Sequence, residues 1–215
     1  MKLCMIGTGY VGLVSGTCFA DIGNQVICVD KDLKKINKLN SGFSPIYEPG
    51  LEELIKKNFL AKRLSFTNNV KNAINASDII FICVGTPTKK GRFDVDLSFI
   101  NQCVKEILKY SKKRKIIVTK STVPVGTGDK IEKLLKKKRK LFTLISNPEF
   151  LREGEAIRDF RFPDRIIIGS NEKKVFNIMK KLYSPLISKG AKFFTTSRRG
   201  AELIKYASNA FLATK

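Results

Sequence analysis

The sequence contains no histidine and no tryptophan, and it has no long apolar run. Without histidine, a general base in any reaction of this chain must be lysine, a carboxylate, a hydroxyl group or water. No stretch approaches the roughly eighteen apolar residues that a membrane span needs, and the chain starts with an apolar strand pattern rather than a signal peptide. We therefore expect a cytoplasmic, globular protein with no membrane partner.

Cysteine is scarce and irregularly spaced, and no C-x-x-C pair occurs. The five cysteines are Cys4, Cys18, Cys28, Cys83 and Cys103. Most of them fall inside apolar stretches, which is typical of reduced thiols in a protein core. We therefore predict no metal site.

Acidic residues are also few, with 19 Asp and Glu against 41 Lys and Arg, for a formal net charge of +22. Such a charge ordinarily favours nucleic-acid binding. Here the basic residues are spread over every predicted helix, with local runs at 112–115 and 136–140, and no aromatic stacking motif accompanies them. We expect no nucleic-acid partner, although the positive surface favours anionic cofactors and substrates.

A glycine-rich turn follows the first predicted strand, residues 3–6. Its sequence is Gly7-Thr8-Gly9-Tyr10-Val11-Gly12, and a helical pattern comes next. In dinucleotide-binding folds the first glycine permits a tight turn, the second lets backbone approach a pyrophosphate, and the third lets the helix pack closely on the sheet. We predict that all six residues bind a dinucleotide at the helix start; the alternative is a tight turn without a ligand.

The second predicted strand, residues 25–29, ends at Asp30, which follows Gly12 by 18 residues. A carboxylate at this interval binds the ribose 2′-hydroxyl of NAD and repels the 2′-phosphate of NADP. NADP remains an alternative cofactor, because Lys31, Lys34 and Lys35 could attract its 2′-phosphate. We predict NAD as the cofactor.

Strand and helix patterns alternate along the whole chain. Further strands are predicted at 64–66, 78–84, 116–119, 142–146, 165–168 and 192–194, and further helices from 33, from 51, and at 97–110, 128–138, 172–186 and from about 197. This order predicts an α/β fold with a doubly wound parallel sheet, a Rossmann-like NAD-binding domain over 1–196, and the start of a long central helix over 197–215. Gly85, Thr86 and Pro87 follow the strand at 78–84 and should face the cofactor, because open sheets bind ligands at the carboxyl ends of their strands.

Seven segments match one family, in order. They are GTGYVG, PIYEPGL, VGTPT, KSTVPVGT, SNPEFLREGEAI, PDRIIIG and AELIKYASNAFLA. Through them the chain resembles the amino-terminal half of the nucleotide-sugar dehydrogenases, and it is more similar to the UDP-glucose branch than to the GDP-mannose or UDP-N-acetyl-sugar branches. The resemblance implies a homodimer that oxidises C6 of UDP-glucose to UDP-glucuronate, with two hydride transfers to NAD and aldehyde and thioester stages between them.

The same resemblance implies roles for particular residues. Lys35, Thr86 and Thr122 would join the glycine-rich turn, Asp30 and Gly85 as NAD contacts, and Thr122 would also lie near the reacting centre. The run Glu149-Phe150-Leu151-Arg152-Glu153 would line the junction of sugar and nicotinamide, with Glu149 activating water and Glu153 also touching the cofactor.

Lys205 and Asn209 would bind the substrate and stabilise the oxyanion that forms during thioester breakdown. Their i, i+4 spacing independently puts both on one helix face. On the residues alone they are equally typical of a solvated helix surface, and Thr122 is equally typical of a strand-end hydroxyl.

The nucleophilic cysteine of the family lies beyond the central helix, in a segment that this chain does not include. None of the five cysteines present has a matching context. We therefore expect a truncated product, a split gene or an expressed fragment that binds NAD and lacks the covalent step. The alternatives are a dehydrogenase for another nucleotide sugar and a non-catalytic NAD-binding module.

Overall fold

A single eight-stranded sheet organises the computed structural model, which describes residues 1–89, 91 and 94–214, apart from the side chains of residues 137 and 139. The strands are β1 Lys2–Ile6, β2 Gln25–Val29, β3 Leu64–Thr67, β4 Ile79–Ile82, β5 Lys115–Thr119, β6 Phe142–Ser146, β7 Arg165–Gly169 and β8 Lys192–Thr196. They lie in the order β3-β2-β1-β4-β5-β6-β7-β8. The first six are parallel, which confirms the predicted doubly wound fold.

The last two strands differ from the expectation of a wholly parallel sheet. Strands β7 and β8 are parallel to each other, but β7 runs antiparallel to β6, through the pair Ser146 and Gly169. The chain between β6 and β7 includes only one short helix, Ala156–Arg161. Alternation of strand and helix patterns does not encode this direction.

Helices cover both faces of the sheet. They are α1 Tyr10–Asp21, α2 Leu33–Asn40, α3 Leu51–Leu60, α4 Val70–Ala76, α5 Ser98–Tyr110, α6 Thr127–Leu134, α7 Ala156–Arg161, α8 Lys174–Leu182, α9 Ser184–Ile187 and α10 Arg198–Thr214. None of the helices in the described ranges is long and apolar enough to cross a bilayer.

Four helical details were not predicted. The short helices α4 and α7 were missed, because seven and six residues are too few for a clear amphipathic period. The helix predicted over 172–186 is two helices, since Pro185, in the first turn of α9, cannot donate the backbone hydrogen bond that would continue α8. The helix predicted to reach 138 ends at Leu134, and a 3₁₀ segment, Lys136–Leu141, follows it.

The strand side chains divide between two cores, one on each face of the sheet. Leu3 and Met5 face the core beneath α1, whereas Cys4 and Ile6 face the core beneath α5. All five cysteines are free and buried, as predicted. This two-sided burial explains why the strands are apolar without alternation.

The beginning of α10 is fixed to α6 by charge. The Glu202 carboxylate accepts hydrogen bonds from the amides of Gly126 (2.7 Å) and Gly128 (2.8 Å), at the start of α6. The buried Arg198 guanidinium pairs with Asp129 at 3.0 Å and also with Glu132. These contacts hold the first two turns of α10 against the start of α6.

Candidate cofactor and substrate site

The glycine-rich turn has three glycines with three different environments. Gly7 has φ +103°, and a Cβ there would lie 2.8 Å from the Cys83 carbonyl oxygen. A Cβ on Gly12 would lie 1.9 Å from the Gly7 carbonyl oxygen, so α1 packs directly on the turn. A Cβ on Gly9 would meet nothing within 4 Å. The backbone at Gly9 therefore faces open space at the start of α1, which suits a phosphate.

A cavity of about 390 Å³ opens beside this turn. The predicted cofactor residues that line it are Gly7, Gly9, Asp30, Lys35 and Gly85. Phe99 and Gln102 of α5 line it too, and the Lys31 ammonium lies 4.9 Å from the centre of the Phe99 ring. Sequence reasoning missed these two residues, because only packing brings α5 to this edge.

Asp30 is held as an acceptor facing the cavity. Its Oδ2 accepts from the Thr8 amide at 2.8 Å and the Thr8 hydroxyl at 2.7 Å, and its Oδ1 accepts from the Asp32 amide at 3.1 Å. Burial acts to raise the pKa of Asp30, but these hydrogen bonds outweigh burial, so the pKa is below its usual value. Thr8 is fully buried, and its described contacts orient Asp30. Open space at Gly9, the Asp30 carboxylate and two nearby lysines together fit a dinucleotide.

Other predicted cofactor residues lie around this cavity without lining it. The Tyr10 hydroxyl bonds to Glu48 and accepts from the Gly154 amide at 2.8 Å. The Thr86 hydroxyl donates to the Thr122 carbonyl at 2.8 Å, which joins the ends of β4 and β5. The described residues that line this cavity do not include Val11, Gly12, Pro87, Thr122 or Glu153.

A second cavity, of about 680 Å³, lies farther along the same sheet edge, against α10. The predicted substrate residues that line it are Glu149, Phe150, Leu151, Arg152, Lys205 and Asn209. The structure therefore brings together the loop after β6 and one face of α10, which are more than fifty residues apart in the sequence. Glu153 is exposed and outside this set.

A buried ion pair occupies the second cavity. The Lys205 ammonium lies 3.0 Å from Oε1 of Glu149, and the two side chains are only 10% and 11% exposed. Oε2 of Glu149 accepts from the Leu151 amide at 2.6 Å, so both carboxylate oxygens are fixed. The same ammonium lies 5.3 Å from the centre of the Phe150 ring. Lys205 is thus an oriented charge rather than a solvated surface lysine.

Lys120 is a site residue that sequence reasoning missed. It is buried at the end of β5 and lines the same cavity as Glu149 and Lys205. Burial lowers the pKa of Lys120, and the Lys205 ammonium acts in the same direction, against Cys83 and Glu149. The position of Lys120 directly after a predicted strand, in the segment KSTVPVGT, is the sequence feature that could have identified it as a site residue.

Comparisons with known proteins match most of this chain to one family. Residues 1–187 match the NAD binding domain of the UDP-glucose/GDP-mannose dehydrogenase family, which confirms the predicted cofactor. UDP-glucose 6-dehydrogenase of Rhizobium meliloti (strain 1021) is 50% identical over 219 residues, and UDP-glucose 6-dehydrogenase TuaD of Bacillus subtilis (strain 168) is 51% identical over 217 residues. Both alignments cover 100% of this chain and 50% and 46% of the relatives. The chain thus spans about half the length of the curated relatives it matches.

Solved structures of similar proteins share the fold over this half. A GDP-mannose dehydrogenase from Pseudomonas aeruginosa superposes with a TM-score of 0.94 at 37% identity, over 100% of this chain and 50% of that one. A UDP-glucose dehydrogenase from Pyrobaculum islandicum gives 0.92 at 36% identity, over 98% and 49%. Because the family's domain matches most of the sequence, and the glycine-rich turn, Asp30 and the sheet agree with it, this chain belongs to the UDP-glucose/GDP-mannose dehydrogenase family.

Proposed function

We propose that the chain forms the cofactor half of an NAD-dependent enzyme that oxidises C6 of UDP-glucose and yields UDP-glucuronate. The observation that carries the proposal is the buried Lys205 and Glu149 pair, in a cavity on the same sheet edge as the glycine-rich turn. The curated relatives that match the whole chain at 50% and 51% identity are UDP-glucose 6-dehydrogenases. GDP-mannose is the second candidate, because a GDP-mannose dehydrogenase superposes with a TM-score of 0.94.

Two groups of residues hold the cofactor in this proposal. Gly7, Gly9 and Gly85 offer backbone to the pyrophosphate, and Asp30 accepts from the ribose 2′-hydroxyl. Thr86 and Thr122, joined by their hydrogen bond, border the cofactor where β4 and β5 end. Bound NAD+ supplies the acceptor for the hydride that leaves C6.

The charged pair performs the polar part of the chemistry. Because the chain has no histidine, a proton acceptor from these residues is a lysine, a carboxylate, a hydroxyl group or water, and Glu149 is the fixed carboxylate that polarises an attacking water. The Lys205 ammonium and the Asn209 amide, one turn apart on α10, donate to the oxygen on which negative charge develops. Lys120 adds a second positive group to the same cavity wall.

The proposed covalent stage needs a thiolate that these residues do not provide. Burial raises the pKa of Cys18, Cys83 and Cys103 to about 12. A thiol with such a pKa is almost entirely protonated at neutral pH and is a poor nucleophile. We therefore propose that residues 1–215 bind NAD alone and depend on further sequence for turnover.

The remaining proposals concern assembly and location. We propose that residues 1–196 form the NAD-binding domain and that residues 197–215 begin a connecting helix. The exposed Leu203, Phe211 and Leu212 of α10 support a homodimer that buries this helix. Free buried thiols support a reducing compartment, the cytoplasm.

Calorimetry and complementation test the proposed function. The chain should bind NAD+ more tightly than NADP+, and Asp30→Ala should remove most of that preference. Adding the carboxyl-terminal half of the Bacillus subtilis relative should give NADH from UDP-glucose, faster than from GDP-mannose or UDP-N-acetylglucosamine. Lys205→Met should abolish the turnover and keep NAD+ binding. Absence of NAD+ binding by folded chain would refute the cofactor role, and faster turnover of GDP-mannose would refute the substrate.

A further inference from the structure

Four residues from three distant parts of the sequence meet beside the glycine-rich turn. The Tyr10 hydroxyl donates to Oε2 of Glu48, and the Gly154 amide donates to both, at 2.8 Å to the Tyr10 oxygen and 2.9 Å to Oε2 of Glu48. Oε1 of Glu48 accepts from the Ile157 amide at 3.3 Å. We call this set, Tyr10, Glu48, Gly154 and Ile157, the hydroxyl-carboxylate knot.

The knot centres on a buried carboxylate, Glu48, and reaches the surface at Gly154, while Tyr10 is half-buried. Glu48 is only 6% exposed, and its described hydrogen-bond partners are donors from other elements. Burial, then the hydrogen bond to Glu48, raises the pKa of Tyr10 to about 12, so the phenol keeps its proton and remains a donor. Hydrogen bonds to a buried carboxylate are among the stronger ones in proteins.

The position of the knot gives it a consequence for the site. Tyr10 is the first residue of α1 and follows Gly9 directly, where the pyrophosphate is proposed to bind. Gly154 lies near the end of the loop over residues 147–155, which carries Glu149. The beginning of that loop is anchored separately, because the side-chain Nδ2 of Asn147 donates to the Ile167 carbonyl at 3.0 Å. The knot therefore fixes the other end of the loop to the cofactor turn.

We propose that Tyr10 and Glu48 are positioning residues that couple the cofactor turn to the loop carrying Glu149, so that occupancy of the turn steadies the substrate side of the site. The Tyr10 side chain then acts through the loop, and any contact of Tyr10 with the dinucleotide is left to its backbone. This inference rests on the proposed function in one respect, that the turn binds NAD and the loop borders the substrate.

Amide hydrogen exchange on the whole chain tests the coupling, together with NAD+ affinity from calorimetry. Tyr10→Phe removes only the hydroxyl, and Tyr47→Phe is the matched control, since Tyr47 is 87% exposed. Glu48→Gln is the second variant, with the exposed Glu53→Gln as its control.

In the unmodified chain, NAD+ should slow exchange over residues 148–157. In Tyr10→Phe and Glu48→Gln, exchange there should be roughly ten or more times faster, as expected for the loss of one charge-assisted hydrogen bond. The response to NAD+ should disappear, while the affinity for NAD+ changes by less than about threefold. Both controls should match the unmodified chain.

Three other outcomes of these measurements would contradict the proposed coupling. The proposal would be overturned if the exchange rate of the loop were unchanged in Tyr10→Phe. It would also be overturned if bound NAD+ did not change the exchange rate of the loop in the unmodified chain. A tenfold or greater loss of NAD+ affinity with loop protection intact would make Tyr10 a cofactor ligand and also overturn it. If the unmodified chain binds no NAD+, the proposed function fails and the coupling with it, while the ligand-free comparison of variants still tells whether the knot holds the loop.

Discussion

Replacing two glycines of the same turn by alanine should separate ligand binding from folding. Gly9 has φ −71° and ψ −173°, which alanine adopts without strain, and a Cβ there meets nothing within 4 Å. A Cβ on Gly12 would lie 1.9 Å from the Gly7 carbonyl oxygen and 2.9 Å from the Cys83 Cβ. The two substitutions add the same methyl group three residues apart, so each serves as the control for the other.

The structure sets the size of each effect. In Gly12→Ala, α1 must move by more than about 1 Å, because Cβ contacts under 3.0 Å essentially do not occur. That movement disturbs the fully buried Leu13, Val14 and Phe19. Overpacking of this kind costs about 1–3 kcal/mol or more, and we expect the upper end, about 3 kcal/mol. For a domain of this size, that lowers the melting temperature by roughly 6–12 °C.

Gly9→Ala should leave the stability nearly unchanged. Alanine gains about 0.4–1 kcal/mol by restricting the unfolded chain, and it loses about as much because Gly9 is the N-cap of α1, where alanine is disfavoured. The new methyl group points into the space proposed for the pyrophosphate. We expect NAD+ affinity to fall at least about tenfold, or about 1.4 kcal/mol.

Urea unfolding gives the stability of both variants, and calorimetry gives their NAD+ affinity. Unchanged NAD+ binding by Gly9→Ala would refute the claim that the phosphates approach backbone at this point. Unchanged stability of Gly12→Ala would refute the claim that α1 needs this close contact with the turn.

Three further predictions concern buried charge and thiols. Glu202→Ala should cost about 2–4 kcal/mol in urea unfolding, because two amides at the start of α6 lose their acceptor; a loss under about 1 kcal/mol would contradict this. Glu149→Gln should lower the free energy of unfolding by about 2–4 kcal/mol, because it leaves the Lys205 ammonium, which is 10% exposed, without its counter-ion. Adding Lys205→Met should recover most of that loss, and a double variant as unstable as the single one would disprove the explanation. Burial raises the pKa of all five thiols in the folded chain. Their contribution to stability is therefore complete below about pH 8.5 and falls as pH rises, because the unfolded thiols then lose protons that the folded ones keep. A urea midpoint that is flat from about pH 7 to 10 would refute this pH dependence.

Local patterns carried much of the fold prediction. The apolar strand before Gly7, the glycine spacing and Asp30 at the end of β2 are each contained in a few consecutive residues. Their physical requirements are local too: a positive φ at Gly7, no room for a Cβ at Gly12, and an acceptor at a strand end. The burial of the cysteines followed from the same short apolar stretches.

Other features depend on segments that meet only after folding. Glu48 lies in a loop that reads as a turn before a helix, yet its carboxylate accepts the amides of Gly154 and Ile157, more than a hundred residues away. Lys120 reads as one of many lysines, and its neighbours Glu149 and Lys205 come from other elements. The division of the helix at Pro185 was readable, because proline cannot donate an amide, and was missed.

The sequence by itself determined which residues could form strands, the cofactor turn and the acidic partner of the ribose, because these depend on backbone geometry and side-chain polarity over short stretches. Tertiary structure alone decided the reversal of β7, the pairing of Lys205 with Glu149 and the knot around Glu48. Those features arise from which distant groups share a dry environment, where a charge must find a partner or pay the cost of losing water.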